Sequence, residues 1–312
     1  MRARQAAVEV PSSAMTTAAR TTLRDLIAAR GCALFDGAMG TMLQNAGLEA
    51  GESGERWNLD RADDVAAIHR GYAAAGSVLV TTNTFGATAP RLAASGLEDR
   101  VADVNAAAVR IARSVADDFG ALVAGDVGPT GELIEPLGTL SATDAQAIFA
   151  EQIEALAGAG ADLILGETLS DLAEAEAVVR AAHGAAPELE VAVTLSFDTN
   201  RHTMMGVSPA QAVETLGELG VTAVGANCGR GLEDMEAVMA EMVAHRPEGL
   251  LLIAQSNAGL PVIRGDEFHY DTSPAEMADY ARRMRDLGVE LVGGCCGSTP
   301  AHMAAMAAAL NS

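Results

Sequence analysis

The stretch Val289-Glu290-Leu291-Val292-Gly293-Gly294-Cys295-Cys296-Gly297-Ser298-Thr299-Pro300 decides the fold. It is a short apolar run that stops at small and functional residues, followed by a proline suited to the first turn of a helix. Working backwards, the same unit recurs. Leu250–Ile253 stops at Gln255-Ser256-Asn257, Val221–Gly225 at Asn227-Cys228, and Val191–Leu195 at Ser196-Phe197-Asp198. Earlier still, Leu163-Ile164-Leu165 stops at Gly166-Glu167-Thr168, Leu122-Val123-Ala124 at Gly125-Asp126, and Val78-Leu79-Val80 at Thr81-Thr82-Asn83-Thr84-Phe85. The first unit is Ala33-Leu34-Phe35, running into the glycine-rich turn Asp36-Gly37-Ala38-Met39-Gly40-Thr41-Met42.

Helical periodicity separates these runs, over 64–75, 101–117, 143–157, 172–182, 209–219, 232–244 and 274–287, with 300–310 closing the chain. Near-continuous apolar strands alternating with helices imply a parallel sheet buried on both faces. Eight such units predict a single α/β domain, a (β/α)8 barrel. An open doubly wound sheet would need a dinucleotide fingerprint after its first strand, and Asp36-Gly37-Ala38-Met39-Gly40 has the wrong spacing. No linker-like shift in composition divides the chain, so residues 1–20 read as a flexible N-terminal tail and 21–312 as the barrel. The segment Gly54-Glu55-Arg56-Trp57-Asn58 reads as a polar loop. With no long arm after the last helix, a monomer or modest dimer is expected.

Composition narrows the function. The chain has 312 residues, 49% hydrophobic, with 42 acidic against 20 basic side chains and a net charge of −22. Such a surface repels phosphate backbones and anionic lipid, which argues against nucleic-acid and membrane partners. No apolar run reaches the roughly 18–20 residues that span a bilayer, and no signal peptide opens the chain. Four cysteines are too few for a disulfide framework and point to reduced thiols in a cytoplasmic setting.

In a (β/α)8 barrel the active site gathers at the C-terminal ends of the strands. The polar residues fall there, and so do three of the four cysteines. Cys228 ends the sixth strand and Cys295-Cys296 the eighth, so the two flank the seventh and can converge on one ion. Three soft thiolates favour Zn2+, with a fourth position open to water or substrate. A structural zinc with another ligand, or three buried thiols binding nothing, are the alternatives. Cys32 lies before the first strand, at the opposite end, and reads as packing. Zinc held by three cysteines suits activation of a thiol substrate, because coordination deprotonates a thiol whose free pKa is about 8.5. A Schiff-base lyase is excluded, since the chain contains no lysine.

Asp36-Gly37-Ala38-Met39-Gly40-Thr41-Met42, Thr82-Asn83-Thr84-Phe85, Gly128-Pro129-Thr130, Glu167-Thr168, Asn227-Cys228 and Gly293-Gly294-Cys295-Cys296-Gly297 occur in that order. Together they resemble the homocysteine S-methyltransferase family, over about Ala33 to Ala309. The resemblance implies a zinc site of Cys228, Cys295 and Cys296, through which homocysteine is methylated to methionine. It also implies that Asp36, Gly37, Thr82 and Glu167 hold the amino and carboxylate groups of homocysteine, with Asn227 and Trp57 as further substrate-binding candidates.

The resemblance also implies a methyl donor, which would be a corrinoid protein, betaine or a sulfonium compound. In the betaine branch aromatic faces hold the quaternary ammonium. Trp57 sits where that branch carries a tryptophan, but Gly86 and Thr168 stand where it carries further aromatics. The first motifs look more like the module of cobalamin-dependent methionine synthase, which would call for a separate corrinoid-binding protein. A non-catalytic barrel that only binds zinc and thiols is the reading from a different class.

Overall fold

The computed structural model describes residues 21–264 and 267–312. The expected tail over residues 1–20 lies outside them. Among the described residues there are ten strands: β1 Ala33–Leu34, β2 Leu79–Thr81, β3 Leu122–Val127, β4 Leu163–Leu169, β5 Glu190–Leu195, β6 Ala223–Cys228, β7 Leu251–Ser256, β8 Pro261–Arg264, β9 Glu267–Tyr270 and β10 Leu291–Gly294. Eight form one sheet in the order β1-β10-β7-β6-β5-β4-β3-β2, and every pairing in it is parallel. At the remaining seam Val78 N donates to Leu34 O at 2.9 Å, which brings β1 and β2 together and nearly closes the barrel.

Side-chain alternation along the strands sorts the core into two layers. Ala33, Phe35, Leu79, Leu122, Ala124, Leu163, Leu165, Ala192, Ala223, Ile253 and Leu291 share one cluster with Leu23 and Leu26 of the first helix, Leu23–Arg30. Their intervening neighbours Leu34, Val80, Val123, Ile164, Val191, Val193, Val224, Leu252 and Val292 pack in the other, against the surrounding helices. The first cluster is therefore the barrel interior, with the N-terminal helix packed against it. That helix starts with a capping box between Thr22 and Asp25.

Three features depart from the sequence reading. Residues 54–60 are not a polar loop but a 3-10 turn, Gly54–Arg56, running into a helix, Trp57–Asp60, whose Trp57 and Asn58 are buried. The glycine-rich turn after β1 becomes a helix at Met39–Asn45. An antiparallel hairpin, β8 with β9, follows β7.

The rim that carries the polar strand ends is tied down by Gln152, fully buried on the helix Ala142–Ala159. Its amide donates to Thr84 O at 2.8 Å, Asp126 O at 3.1 Å and Asn105 Oδ1 at 3.2 Å. Replacing it takes the donor from Asn105 Oδ1 and one of two donors from each carbonyl. Gln152→Leu is expected to lower stability by about 1–3 kcal/mol, read as a lower urea midpoint at unchanged slope; an unchanged midpoint would show the clamp to be idle.

Candidate active site

A cavity of about 390 Å³ opens at the C-terminal rim, and Cys228, Cys295 and Cys296 all line it. β6 and β10 both pair with β7, so the strand order itself brings the thiols together. The three sulfurs lie within 4.8 Å of one another, with Cys228 Sγ and Cys295 Sγ 2.9 Å apart, and all three cysteines are free thiols. Two ligands of a tetrahedral zinc with bonds of about 2.3 Å sit roughly 3.8 Å apart. The donor set fits a zinc ion in number and softness, and the Cys228 and Cys295 sulfurs, 2.9 Å apart, would have to part to hold it.

Hydrogen bonds from Cys228 and Cys295 pull the Cys296 thiol down to about 3, helped by Tyr270 on the hairpin. Cys32, by contrast, is pushed up to about 11 by burial and sits against Val289 O, apart from this cluster, as expected. His302 is turned elsewhere: Nδ1 faces Thr299 Oγ1 and Nε2 faces Thr272 O.

The glycines around the pair are required by contact. Gly297 has φ +79°, and a Cβ there would fall 2.1 Å from the Tyr270 ring. A Cβ on Gly37 would meet Ser298 Oγ at 2.6 Å and the Tyr72 ring at 2.8 Å. Ser298 is a positioning residue that the sequence reading missed. Its hydroxyl donates to Cys295 O at 2.7 Å and accepts from Ala38 N at 3.0 Å, so the Gly37 turn is fastened to the cysteine turn. Thr41 adds a second tie, accepting from Gly297 N at 3.0 Å.

Asn227 does not line the cavity. Its side chain is fully buried between strand ends, where Oδ1 accepts from Thr168 N and Thr194 Oγ1 at 2.9 Å each. Its Nδ2 donates to Thr168 Oγ1 at 2.6 Å and approaches the sulfurs of Cys228 and Cys295 at 3.8 Å. Thr168 and Cys228 both hold left-handed backbone, at φ 59° and 58°. For non-glycine residues that costs of order 1–3 kcal/mol each and persists only where the surroundings enforce it. Asn227 bonds to the first and directly precedes the second. Asn257, on the neighbouring strand end, is anchored through Nδ2 to Gly229 O at 3.0 Å, and its buried Oδ1 has no partner.

The cavity is also acidic. Asp36, Glu55, Asp126 and Glu167 line it, and among the described residues no arginine, lysine or histidine does. Thr81 donates to Asp36 through N and Oγ1, both at 2.7 Å, yet burial still pushes that carboxyl up to about 7. Burial, with Asp36 and Cys296 adding like charge, pushes Glu167 up to about 8. Thr82 lines the cavity, but its hydroxyl accepts from Asp126 N and lies 2.6 Å from Thr84 Oγ1. Trp57 does not line it. The indole is buried with the Arg61 guanidinium 3.5 Å over its ring, and its accessible edge faces a neighbouring polar groove. Phe85 is the one aromatic residue in the cavity lining.

A homocysteine S-methyltransferase family model matches residues 33–310. The chain belongs to the homocysteine S-methyltransferase family. Curated relatives include the methionine synthases of Mycobacterium tuberculosis, 33% identical over 306 residues, and Mycobacterium leprae, 34% over 293 residues, covering 93% and 88% of this chain. The chain spans about a quarter of the length of these relatives. Among solved structures, the homocysteine methyltransferase MmuM of Escherichia coli in its oxidized form is 28% identical with a TM-score of 0.79, covering 92% of this chain and 98% of that one. Its metallated form superposes with a TM-score of 0.78 at 28% identity, covering 92% and 99%. Among the described residues no helix is long and apolar enough to cross a membrane.

Because Asn227 braces both strand ends beside the thiols, Asn227→Ala is expected to cost about 1–3 kcal/mol in urea denaturation while the far-UV dichroism of the barrel persists. Wild-type stability in that variant would show the left-handed turns to be held by something else.

Proposed function

We propose that this chain is a homocysteine S-methyltransferase that works with a zinc ion held by Cys228, Cys295 and Cys296 and takes its methyl group from a small cationic donor, foremost a sulfonium compound. One observation carries the reading: three converging thiols open into a cavity lined by four carboxyls and no basic side chain. When bound, zinc lowers the pKa of a coordinated thiol, so that the thiol is a thiolate at neutral pH.

The chain's own residues supply the rest. Asp36 and Glu167 meet the ammonium of homocysteine, and Asp36 is fixed for this by Thr81. Main-chain N–H groups of the Gly37 turn meet its carboxylate, with the turn held in place by Ser298. Met39, Leu43, Leu48 and Phe85 line the apolar part of the cavity and exclude water. Attack of the homocysteine sulfur on a sulfonium methyl forms one S–C bond and breaks another, and a neutral thioether leaves. Opposite charges are consumed, so a dry cavity favours the transition state over the separated ions.

A corrinoid protein as donor is the second reading, favoured by the rim. Leu133, Leu137, Met204, Leu260 and Val262 are exposed on the loops after β3, β5 and β7, and the relatives include methionine synthases. Betaine has less support, because Trp57 is turned away and Phe85 alone makes no cage.

Purified zinc-loaded protein is expected to form methionine from homocysteine and a sulfonium donor with no second protein present. Turnover only with a methylated corrinoid protein would move the assignment to the second reading. Zinc binding without methionine from any donor would leave a non-catalytic thiol-binding barrel. Cys296→Ser is expected to lose zinc and activity while remaining folded, and Cys32→Ala to keep both. An active Cys296→Ser without zinc would overturn the metal assignment.

A further inference from the structure

The four carboxyls of the cavity are not equivalent. Asp36 accepts two hydrogen bonds from Thr81. Glu55 accepts one from Gly86 N and one from Ser53 Oγ, both at 2.7 Å. Asp126 is 3% exposed and lines the cavity, yet its Oδ1 has no hydrogen-bond partner.

The Asp126 main chain is pinned at the strand end. Its N donates to Thr82 Oγ1 at 3.0 Å, and its O accepts from Thr84 Oγ1 at 2.7 Å and Gln152 Nε2 at 3.1 Å. The charged groups around it are Glu167 on β4, Asp36 after β1 and Glu55 from the 3-10 turn, all of one sign, with no basic residue in the lining to oppose them. A buried carboxyl so placed is held well above its ordinary range, by desolvation first and by these neighbours second.

The side-chain donors of the adjoining segment 81–84 are already used. Thr81 Oγ1 is spent on Asp36, Thr84 Oγ1 on Asp126 O, and Thr82 Oγ1 on Thr84. Asn83 Nδ2 gives its two hydrogens to Gly54 O and Asn58 Oδ1. An amino-acid substrate brings one ammonium, which two carboxylates already match, and one carboxylate, which a third ionised acid would repel.

We propose that Asp126 acts as a neutral carboxylic acid, its proton on the side chain and donated in a hydrogen bond to the carboxylate of the bound amino acid. This rests on the homocysteine reading above. Asp126 thereby sets specificity for a substrate with a free carboxylate, and the Asp36–Glu167 side takes the ammonium. Ionisation of Asp126 removes the donor and adds a repelling charge, so binding weakens as pH rises.

The test is calorimetric titration of zinc-loaded wild-type, Asp126→Asn and Asp126→Ala proteins with homocysteine over a range of pH. The ionisations of homocysteine itself are common to all three proteins, and Asp126→Asn and Asp126→Ala both lack a titrating group at 126, so comparing the two variants separates the hydrogen bond from the charge. The amide keeps an N–H donor that cannot ionise. Asp126→Asn is expected within about threefold of wild type at neutral pH, with the ratio moving in its favour as pH rises. Asp126→Ala is expected to be weaker by about 10- to 100-fold, the worth of a hydrogen bond to a charged group. Infrared difference spectra of ligand-free wild type against Asp126→Asn should show the C=O band of a protonated carboxyl, a readout independent of any loss of stability in the alanine variant.

Wild-type binding with Asp126→Asn as weak as Asp126→Ala, or a wild-type advantage over asparagine that grows with pH, would overturn the inference and make the anion the binding form. Folded wild-type protein that binds no homocysteine at any pH would overturn the substrate assignment itself, and this inference with it.

Discussion

The parallel register of β6, β7 and β10 is the constraint from which the site follows. Ser256 on β7 lies opposite both Cys228 and Gly294, and its carbonyl accepts from Cys295 N at 2.8 Å. A slip on either side would turn the thiols out of the cavity, because side chains alternate with a period of two. The glycines and Ser298 then shape the turn that β10 feeds, and Asn227 holds the left-handed residues beside it. The three-thiol cluster is thus a consequence of sheet register, braced by a few buried polar contacts.

Electrostatics gives the cavity its second character. Thiols and carboxyls line it together, and among the described residues no base compensates them. Burial penalises each ionised acid, a cost that the proposed metal and ammonium would offset. The same absence of positive side chains disfavours phosphorylated or otherwise anionic substrates. It also explains why a charge-consuming methyl transfer is a better match to this cavity than a reaction that creates charge.

Much of this was legible in the sequence, and what was not has physical reasons. Eight apolar runs separated by helical periodicity sufficed for the barrel, since few other architectures bury a strand on both faces so regularly. Cys228 and Cys295-Cys296 stood out because cysteine seldom caps a helix and all three fall at strand ends. Asn227 was misplaced as a cavity residue: the left-handed turns at Thr168 and Cys228 that it braces are conformations neither residue type advertises. Trp57 was open to two readings because a lone aromatic in a connection can face a ligand or the core, and Arg61, one helical turn away, decides for the core. Ser298, Thr41 and Tyr270 could not be found from their own neighbourhoods, because their partners lie on segments distant in sequence. Asp126 was visible only as a polar strand end. Its importance comes from three other acids brought near by the closure of the barrel.

The most direct test of the central claim is X-ray absorption at the zinc edge of the loaded protein, before and after homocysteine is added. Three sulfur neighbours at about 2.3 Å, rising to four with homocysteine, are expected if Cys228, Cys295 and Cys296 present the ion to the substrate thiol. Fewer than three sulfurs, or a sulfur count that homocysteine leaves unchanged, would contradict it.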